Sequence, residues 1–406
     1  MSKLDKLICE LCPNGVEYRA LGDVCKLITG ATPSKKLSSY WNDGTIPWMS
    51  SGEVSLKRVW STEAKITQLA YDKTSTTLVP PHSIVIALAG QGKTRGKVAI
   101  TEIELCTNQS LCSIVCSNEL DYKFLYYYLD GKYEELRSIS NGDGSRGGLS
   151  LKILSPYKIP VPPLDVQREI VRILDNFTEL TAELTAELTA RKKQYEYYRD
   201  KLLTVDKTTK VVPLREVVKH SCSGGTPTKG VVEYYEKGNI PWIRTQDVRF
   251  NEIYGVDSYI TEKAVEKTSA KWIPKNCVIV AISGASAGRC AINRIRATTN
   301  QHCLNLEIDP QQALYRYVFH CISCKYQELL GKKQGARGDL NSTLILDTEI
   351  PLPALIEQER LVSILDRFDA LCNDLTSGLP AEIAARQKQY EFYRDKLLTF
   401  KEQKSK

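Results

Sequence analysis

Long apolar runs are missing from this sequence. None approaches the roughly 18 to 20 residues that a membrane-spanning helix requires, so insertion through helices is excluded. The start, Met-Ser-Lys-Leu-Asp-Lys-Leu-Ile, has neither a long apolar core nor a small-residue cleavage site. No secretory leader is expected, and the expected compartment is the cytoplasm. Histidine is scarce, four in 406 residues, which leaves little material for imidazole chemistry. Cysteine is not scarce, but the thirteen are odd in number, scattered, and in part embedded in strand-like runs, as at Cys277. Reduced thiols are therefore expected rather than a disulfide framework. Cys9 with Cys12 and Cys321 with Cys324 form two Cys-x-x-Cys pairs that only together would supply four zinc ligands. They lie too far apart in sequence for a usual structural site, so no metal is expected.

With 42% hydrophobic and 25% charged residues over 406 positions, the chain has material for two ordinary cores. Laid against itself, it is duplicated. Thr32-Pro33 matches Thr226-Pro227, and Ile46-Pro47-Trp48 matches Ile240-Pro241-Trp242. Thr107-Asn108-Gln109 matches Thr299-Asn300-Gln301, and 191–204 (RKKQYEYYRDKLLT) matches 386–399 (RQKQYEFYRDKLLT). A period near 190 residues is too long for a solenoid, so each copy is expected to be a domain-sized unit.

Each copy opens with short apolar runs broken by Gly, Pro, Asn and Ser, which read as strands and loops. Each closes on a segment of helical spacing. In the first, Ile170, Leu174, Phe177, Leu184, Leu188, Tyr195, Tyr198 and Leu202 step by threes and fours; Leu365, Phe368, Tyr390 and Tyr393 mark the same stripe in the second. A helix of about 40 residues extends roughly 60 Å and needs another helix beside it. The middles differ. Copy one has the tandem run Thr181-Ala-Glu-Leu, Thr185-Ala-Glu-Leu, in which each tetrapeptide adds about 6 Å and slightly more than one turn. Copy two has Ser377-Gly-Leu-Pro380, where proline should kink or interrupt the helix.

Charge separates the two textures. Residues 165–204 hold seven basic and eight acidic side chains and residues 357–399 hold six and eight, so the helices sum to −3. The total is +7, which leaves +10 for the globular parts. A positive field there suits contact with phosphate. Loops at Thr32-Pro-Ser-Lys-Lys36 with Tyr40-Trp41, and at Thr226-Pro-Thr-Lys229 with Tyr234-Tyr235, interleave basic and aromatic residues.

Two motifs imitate catalysis. Ala87-Leu-Ala-Gly-Gln-Gly-Lys93-Thr94 is one glycine short of a P-loop, and the residues after it read as strand rather than the helix a phosphate needs. Gly284-Ala-Ser286-Ala-Gly288 matches a nucleophile elbow, with Asp309 and His320 downstream, but again a strand follows and copy one has no serine there. No amino-methyltransferase Asn/Asp-Pro-Pro-Tyr/Phe motif and no paired-carboxylate and lysine nuclease pattern occurs, so catalysis by this chain is not expected.

The tandem halves, Gly-x-Thr-Pro, Ile-Pro-Trp, Ile159-Pro-x-Pro-Pro-Leu164, the Thr-Ala-Glu-Leu run and the Gln-Tyr-Glu-Tyr/Phe-Tyr-Arg-Asp ends resemble the specificity subunit of type I restriction-modification systems over essentially the whole chain. The resemblance implies an α+β fold with two similar target recognition domains, separated by two long antiparallel coiled-coil helices in a pseudo-twofold repeat. Residues 1–163 and 205–355 would be the recognition domains, 164–204 the spacer helix and 356–400 its partner. It further implies that each domain reads one half of a split site in double-stranded DNA. The helices would set the gap and dock two methyltransferase subunits, with restriction subunits joining. S-adenosylmethionine, ATP and Mg would belong to those partners, and no cofactor to this chain. The candidate contact residues are Lys35, Lys36, Lys93, Arg95, Asn108, Gln109 and Arg146 in the first half. In the second they are Thr226, Lys229, Arg244, Gln246, Arg289, Asn300, Gln301 and Arg337. Trp48 and Trp242 are expected to anchor loops or core rather than stack on bases. The competing reading is a non-catalytic scaffold that binds protein partners through two repeated domains.

Overall fold

The computed structural model describes residues 2–90, 94–140, 148–204, 209–332, 339–373 and 377–403. The chain is α+β and forms two compact units, Met1–Glu183 with Ala384–Lys406, and Leu184–Ile383.

In the first unit a five-stranded sheet runs in the order Cys25–Thr29, Leu111–Cys116, Ile84–Ala87, Val98–Thr101, Arg58–Val59, with the last strand parallel to its neighbour and the rest antiparallel. The run Ile84–Ala87 is apolar at every position because both faces of the sheet are covered. Ile84 and Ile86 enter the core beneath helix Tyr122–Gly131, while Val85 and Ala87 enter a second core with Met49, Val54 and Leu105. A smaller sheet, Ala64–Ile66, Ile46–Met49, Leu105–Thr107, Leu78–Val79, stands on that second core, and Tyr18–Ala20 pairs with Lys158–Pro160.

The second unit repeats these sheets in the same strand order. Its five-stranded sheet is Val218–Ser223, Cys303–Ile308, Val278–Ala281, Cys290–Asn293, Asn251–Ile253, and its four-stranded sheet is Tyr259–Ile260, Ile240–Ile243, Ala297–Thr299, Trp272–Ile273. One buried glutamine ties each globular part to the helix that follows it. The Gln167 side chain accepts from the Asp121 N–H (2.7 Å) and donates to the Glu119 and Pro162 carbonyls (2.9 and 2.6 Å). Gln358 accepts from the Leu314 N–H (2.9 Å) and donates to the Gln312 and Pro353 carbonyls (3.3 and 2.9 Å).

The first long segment is one helix, Leu164–Leu203. The second is not. It comprises Leu355–Asn373 and Leu379–Leu397, with Pro380 in the first turn of the latter, where its missing N–H has no intrahelical partner to lose.

The compact units do not follow the duplication. The first unit packs the start of its own helix beside the end of the other copy's. Leu174 is fully buried, the Phe177 and Tyr393 rings stack with centroids 5.5 Å apart, and Tyr390 meets Tyr127 at 6.4 Å. The second unit does the reverse. Leu365 is fully buried, Phe368 stacks on Tyr198 at 6.0 Å, and the Tyr195 hydroxyl meets His320 Nδ1 at 3.2 Å. Leu184 and Leu188, in the tetrapeptide run, are half-buried, and Leu188 packs against the core of the second unit. Among the described residues no helix is long and apolar enough to cross a membrane.

Candidate nucleic-acid interface

Strand register decides which loops meet. In the first unit Leu111 faces Ala87 and Cys112 faces Thr29, while Ile86 faces Val98. The end of Cys25–Thr29, the end of Ile84–Ala87 and the beginnings of Leu111–Cys116 and Val98–Thr101 therefore share one end of the sheet. The segments 30–37, 88–90, 94–97 and 108–110 lie at that end together. Ala281 facing Cys303, Val280 facing Cys290 and Ser223 facing Leu304 gather 224–231, 282–289 and 300–302 in the same way.

At that end the three repeated motifs are bonded to one another. Gly30 packs so closely on the Thr107 carbonyl that a Cβ would overlap its oxygen, and Gly224 stands in the same relation to Thr299. This is why the loop opens on glycine. The Ala31 N–H then donates to the Thr107 carbonyl (3.0 Å) and the Gly225 N–H to that of Thr299 (2.9 Å). The indole N–H of Trp48 donates to the Ala31 carbonyl (2.9 Å), that of Trp242 to Gly225 (3.0 Å), and both rings are buried. The tryptophans are loop anchors. The Thr32 hydroxyl donates to the Gln109 side-chain oxygen and the Thr226 hydroxyl to that of Gln301. Asn108 and Asn300 shape the adjoining turn, each accepting through its side-chain oxygen from the backbone N–H two residues on (3.0 and 3.2 Å). Their own N–H groups bond the Met49 and Ile243 carbonyls at the ends of the Ile-Pro-Trp strands.

Around this frame the cationic candidates stand outward. Lys35, Lys36 and Lys229 are exposed, as are Gln109, Gln246 and Gln301. Arg244 is half-buried, its guanidinium 6.0 Å from the Trp242 ring centroid and its backbone N–H donating to Asp247 (2.8 Å). Arg289 follows Gly288, whose φ of +89° makes the turn into Cys290–Asn293; Gly96, at +84°, does so before Lys97. Arg95 differs from these, being only 8% exposed with its Nε lacking a hydrogen-bond partner. Lys93, Arg146 and Arg337 lie outside the described residues, although Leu149 and Leu340, shortly after two of them, bond the backbones of Leu88 and Ile282 at the same sheet end (2.8 and 2.7 Å).

Sequence reasoning passed over the acidic caps that hold the next loop. Buried Glu53 accepts from the Ser50 N–H (2.6 Å) and the Glu63 N–H (3.0 Å), and Asp247 fills the same place after Ile240–Ile243. The Ser50-x-x-Glu53 spacing of a capping box was the available signal.

The motifs that imitate catalysis have other surroundings. The near P-loop leads into strand Val98–Thr101, and Gly284–Ser286 into strand Cys290–Asn293. Both ring nitrogens of buried His320 are engaged, Nδ1 by Tyr195 and Nε2 by Asp366 at 2.9 Å. Burial pushes the thiols of Cys12, Cys321 and Cys324 upward, Cys324 to about 11, which favours their protonated forms over the thiolate a metal takes. Among the described residues no three His, Cys, Asp or Glu side chains gather as a metal site would require.

The family model described as type I restriction modification DNA specificity domain matches this chain twice, over residues 13–191 and 206–385. The chain is 33% identical over 417 aligned residues to the specificity subunit of the type I restriction enzyme EcoR124I/EcoR124II of Escherichia coli, covering 98% of this chain and 97% of that one. Its fold is similar to a chain from a solved structure of the type I R-M system, with a TM-score of 0.66, 17% identity and coverage of 95% and 98%. A type I restriction-modification S subunit from M. genitalium superposes with a TM-score of 0.56, 16% identity and coverage of 95% and 96%.

Proposed function

The chain belongs to the family of type I restriction-modification DNA specificity subunits, and from that premise we infer that each unit reads one half of a split sequence in double-stranded DNA. The chain is the non-catalytic, sequence-reading subunit of a complex whose methyltransferase and restriction subunits carry the chemistry. S-adenosylmethionine, ATP and Mg belong to those partners, and the assembly works in the cytoplasm, where its DNA is.

The observation that carries the assignment of the reading surface is the doubled loop cluster, Gly-x-Thr-Pro locked by tryptophan and by Thr-Asn-Gln at the same sheet end of both units. A bonded frame of this kind holds exposed Lys and Gln side chains in place, as readout of phosphates and base edges requires. We assign Lys35, Lys36 and Lys229 to phosphates, and Gln109, Gln246 and Gln301 to base edges. Arg244 and Arg289 stand beside them at the same sheet end. Residues 1–163 and 205–355 are the half-site readers, 164–204 and 356–400 the helical spacer and docking surface for two methyltransferase subunits. The tetrapeptide run sets the distance between half-sites, because two similar readers fix a spacing as a matter of geometry.

The test is to co-express the chain with its methyltransferase partner and map the methylated adenines in a DNA library. A split motif with a constant unspecified gap supports the reading. Methylation that is absent, or present without a split motif, overturns it in favour of a protein-binding scaffold.

A further inference from the structure

The second unit carries a cation and a ring that the first lacks. Across its four-stranded sheet, Trp242, Thr298 and Trp272 stand in one register row. Trp242 is inside, holding the Gly225 carbonyl; Trp272 is at the sheet edge and 38% exposed. The chain just before Trp272 passes against the same Thr-Pro loop, since the missing Cβ of Gly225 points at the Ser269 side chain and the Ala270 backbone. The chain two and three residues before Trp272 thus abuts Gly225, in the loop that carries Thr226 and Lys229.

Arg296 lies on Trp272 with its guanidinium carbon 4.3 Å from the ring centroid, the closest cation–ring pair among the described residues. Arg294, two positions earlier, is consumed by Glu252, Asn276 and Tyr315, with bonds of 2.7 to 2.8 Å. The exposed Arg296 makes no hydrogen bond or ion pair among the described residues. In the first unit the corresponding row is Trp48, Cys106 and Leu78, and Glu104 occupies the place of Arg296. A guanidinium held over an indole loses less freedom on binding than a free one, and its N–H groups remain available to a partner. Those groups match phosphate oxygens.

We propose that Arg296, held over the Trp272 ring, grips a backbone phosphate of the DNA beside the half-site read by the second unit, a contact the first unit does not make. The proposal rests on the half-site reading above.

It is tested on the complex with the methyltransferase partner, by measuring affinity for a duplex carrying the methylation-mapped split site across a range of salt concentrations. Arg296→Ala is expected to weaken binding roughly tenfold, equally for duplexes matched or mismatched in the second half-site, and to lower the slope of log affinity against log salt by about 0.9. Trp272→Leu, which installs the first unit's residue, is expected to show a smaller effect of the same kind. If Arg296→Ala keeps wild-type affinity and slope while the wild-type complex still prefers the split duplex, this contact is wrong and the half-site reading stands. Altered base preference with an unchanged slope overturns the phosphate assignment. A wild-type complex that does not distinguish the split duplex from a scrambled one overturns both.

Discussion

Replacing Gly30 with alanine adds one methyl group where no space exists. The new Cβ would overlap the Thr107 carbonyl, so the 30–37 loop must withdraw from the turn it is bonded to. Withdrawal breaks the bond from the Ala31 N–H to Thr107 (3.0 Å), the bond from Trp48 to the Ala31 carbonyl (2.9 Å) and the contact between Thr32 and Gln109. At about 0.5 to 1.5 kcal/mol net for each, losing all three costs roughly 2 to 4 kcal/mol. For a unit of this size that corresponds to a fall in Tm of roughly 5 to 15 °C. The functional effect is local. Methylation mapping with Gly30→Ala should show degenerate bases in the half-site read by the first unit and unchanged bases in the other. Gly224→Ala should do the converse, since its Cβ meets the Thr299 carbonyl in the same way. Gly230→Ala is the control, because nothing lies within 4 Å of its Cβ position. Thermal unfolding and mapped specificity both indistinguishable from wild type in Gly30→Ala would refute the claim that this close approach holds the reading loop.

Three other features of the chain give further outcomes. Gln167→Leu strands the Asp121 N–H and two carbonyls and should cost about 2 to 4 kcal/mol in chemical denaturation; a loss below about 0.5 kcal/mol would show that the clamp is dispensable. Bonds from Arg172 and then Lys3 hold the Glu169 carboxyl down to about 2, so the anchorage of helix Lys3–Leu11 should be complete above about pH 4.5 and lost as pH falls toward 2. Hydrogen exchange of that helix should rise across this window in the wild type and lose the dependence in Glu169→Gln. Deleting residues 185–188 removes about 6 Å of helix and should shorten the preferred gap while both half-sites stay the same; an unchanged gap in methylation mapping argues against the spacer role.

Much of this could be read before any coordinates. The matches Thr32-Pro33 with Thr226-Pro227 and Ile46-Pro47-Trp48 with Ile240-Pro241-Trp242 announce two domain-sized copies. The threes-and-fours stripe from Ile170 to Leu202 announces a long helix, and it runs Leu164–Leu203. The stripe is a local signal, carried by residues within a few turns of each other, and the duplication needs only the string compared with itself. The site was legible only as motifs: nothing in the string says that Gly30 meets Thr107, Trp48 meets Ala31 or Thr32 meets Gln109, because the contacts join segments far apart in sequence. The buried state of Arg95 and the stacking of Arg296 on Trp272 were out of reach for the same reason.

By itself the sequence determined the duplication, the helical ends and the sign of charge on the globular parts, since composition and periodicity are properties of the chain, and its motifs carried the resemblance to the family. Tertiary structure alone decided how the copies are shared out. Each unit takes the end of the other copy's helix, so that Phe177 meets Tyr393 and Phe368 meets Tyr198. It also decided that one sheet edge is held by Arg58 with Glu102 and its counterpart by Glu252 with Arg294, with the charges exchanged. Two partners that swap sign together leave the pair's attraction intact, so packing tolerates either order, and only the folded register shows that these residues pair.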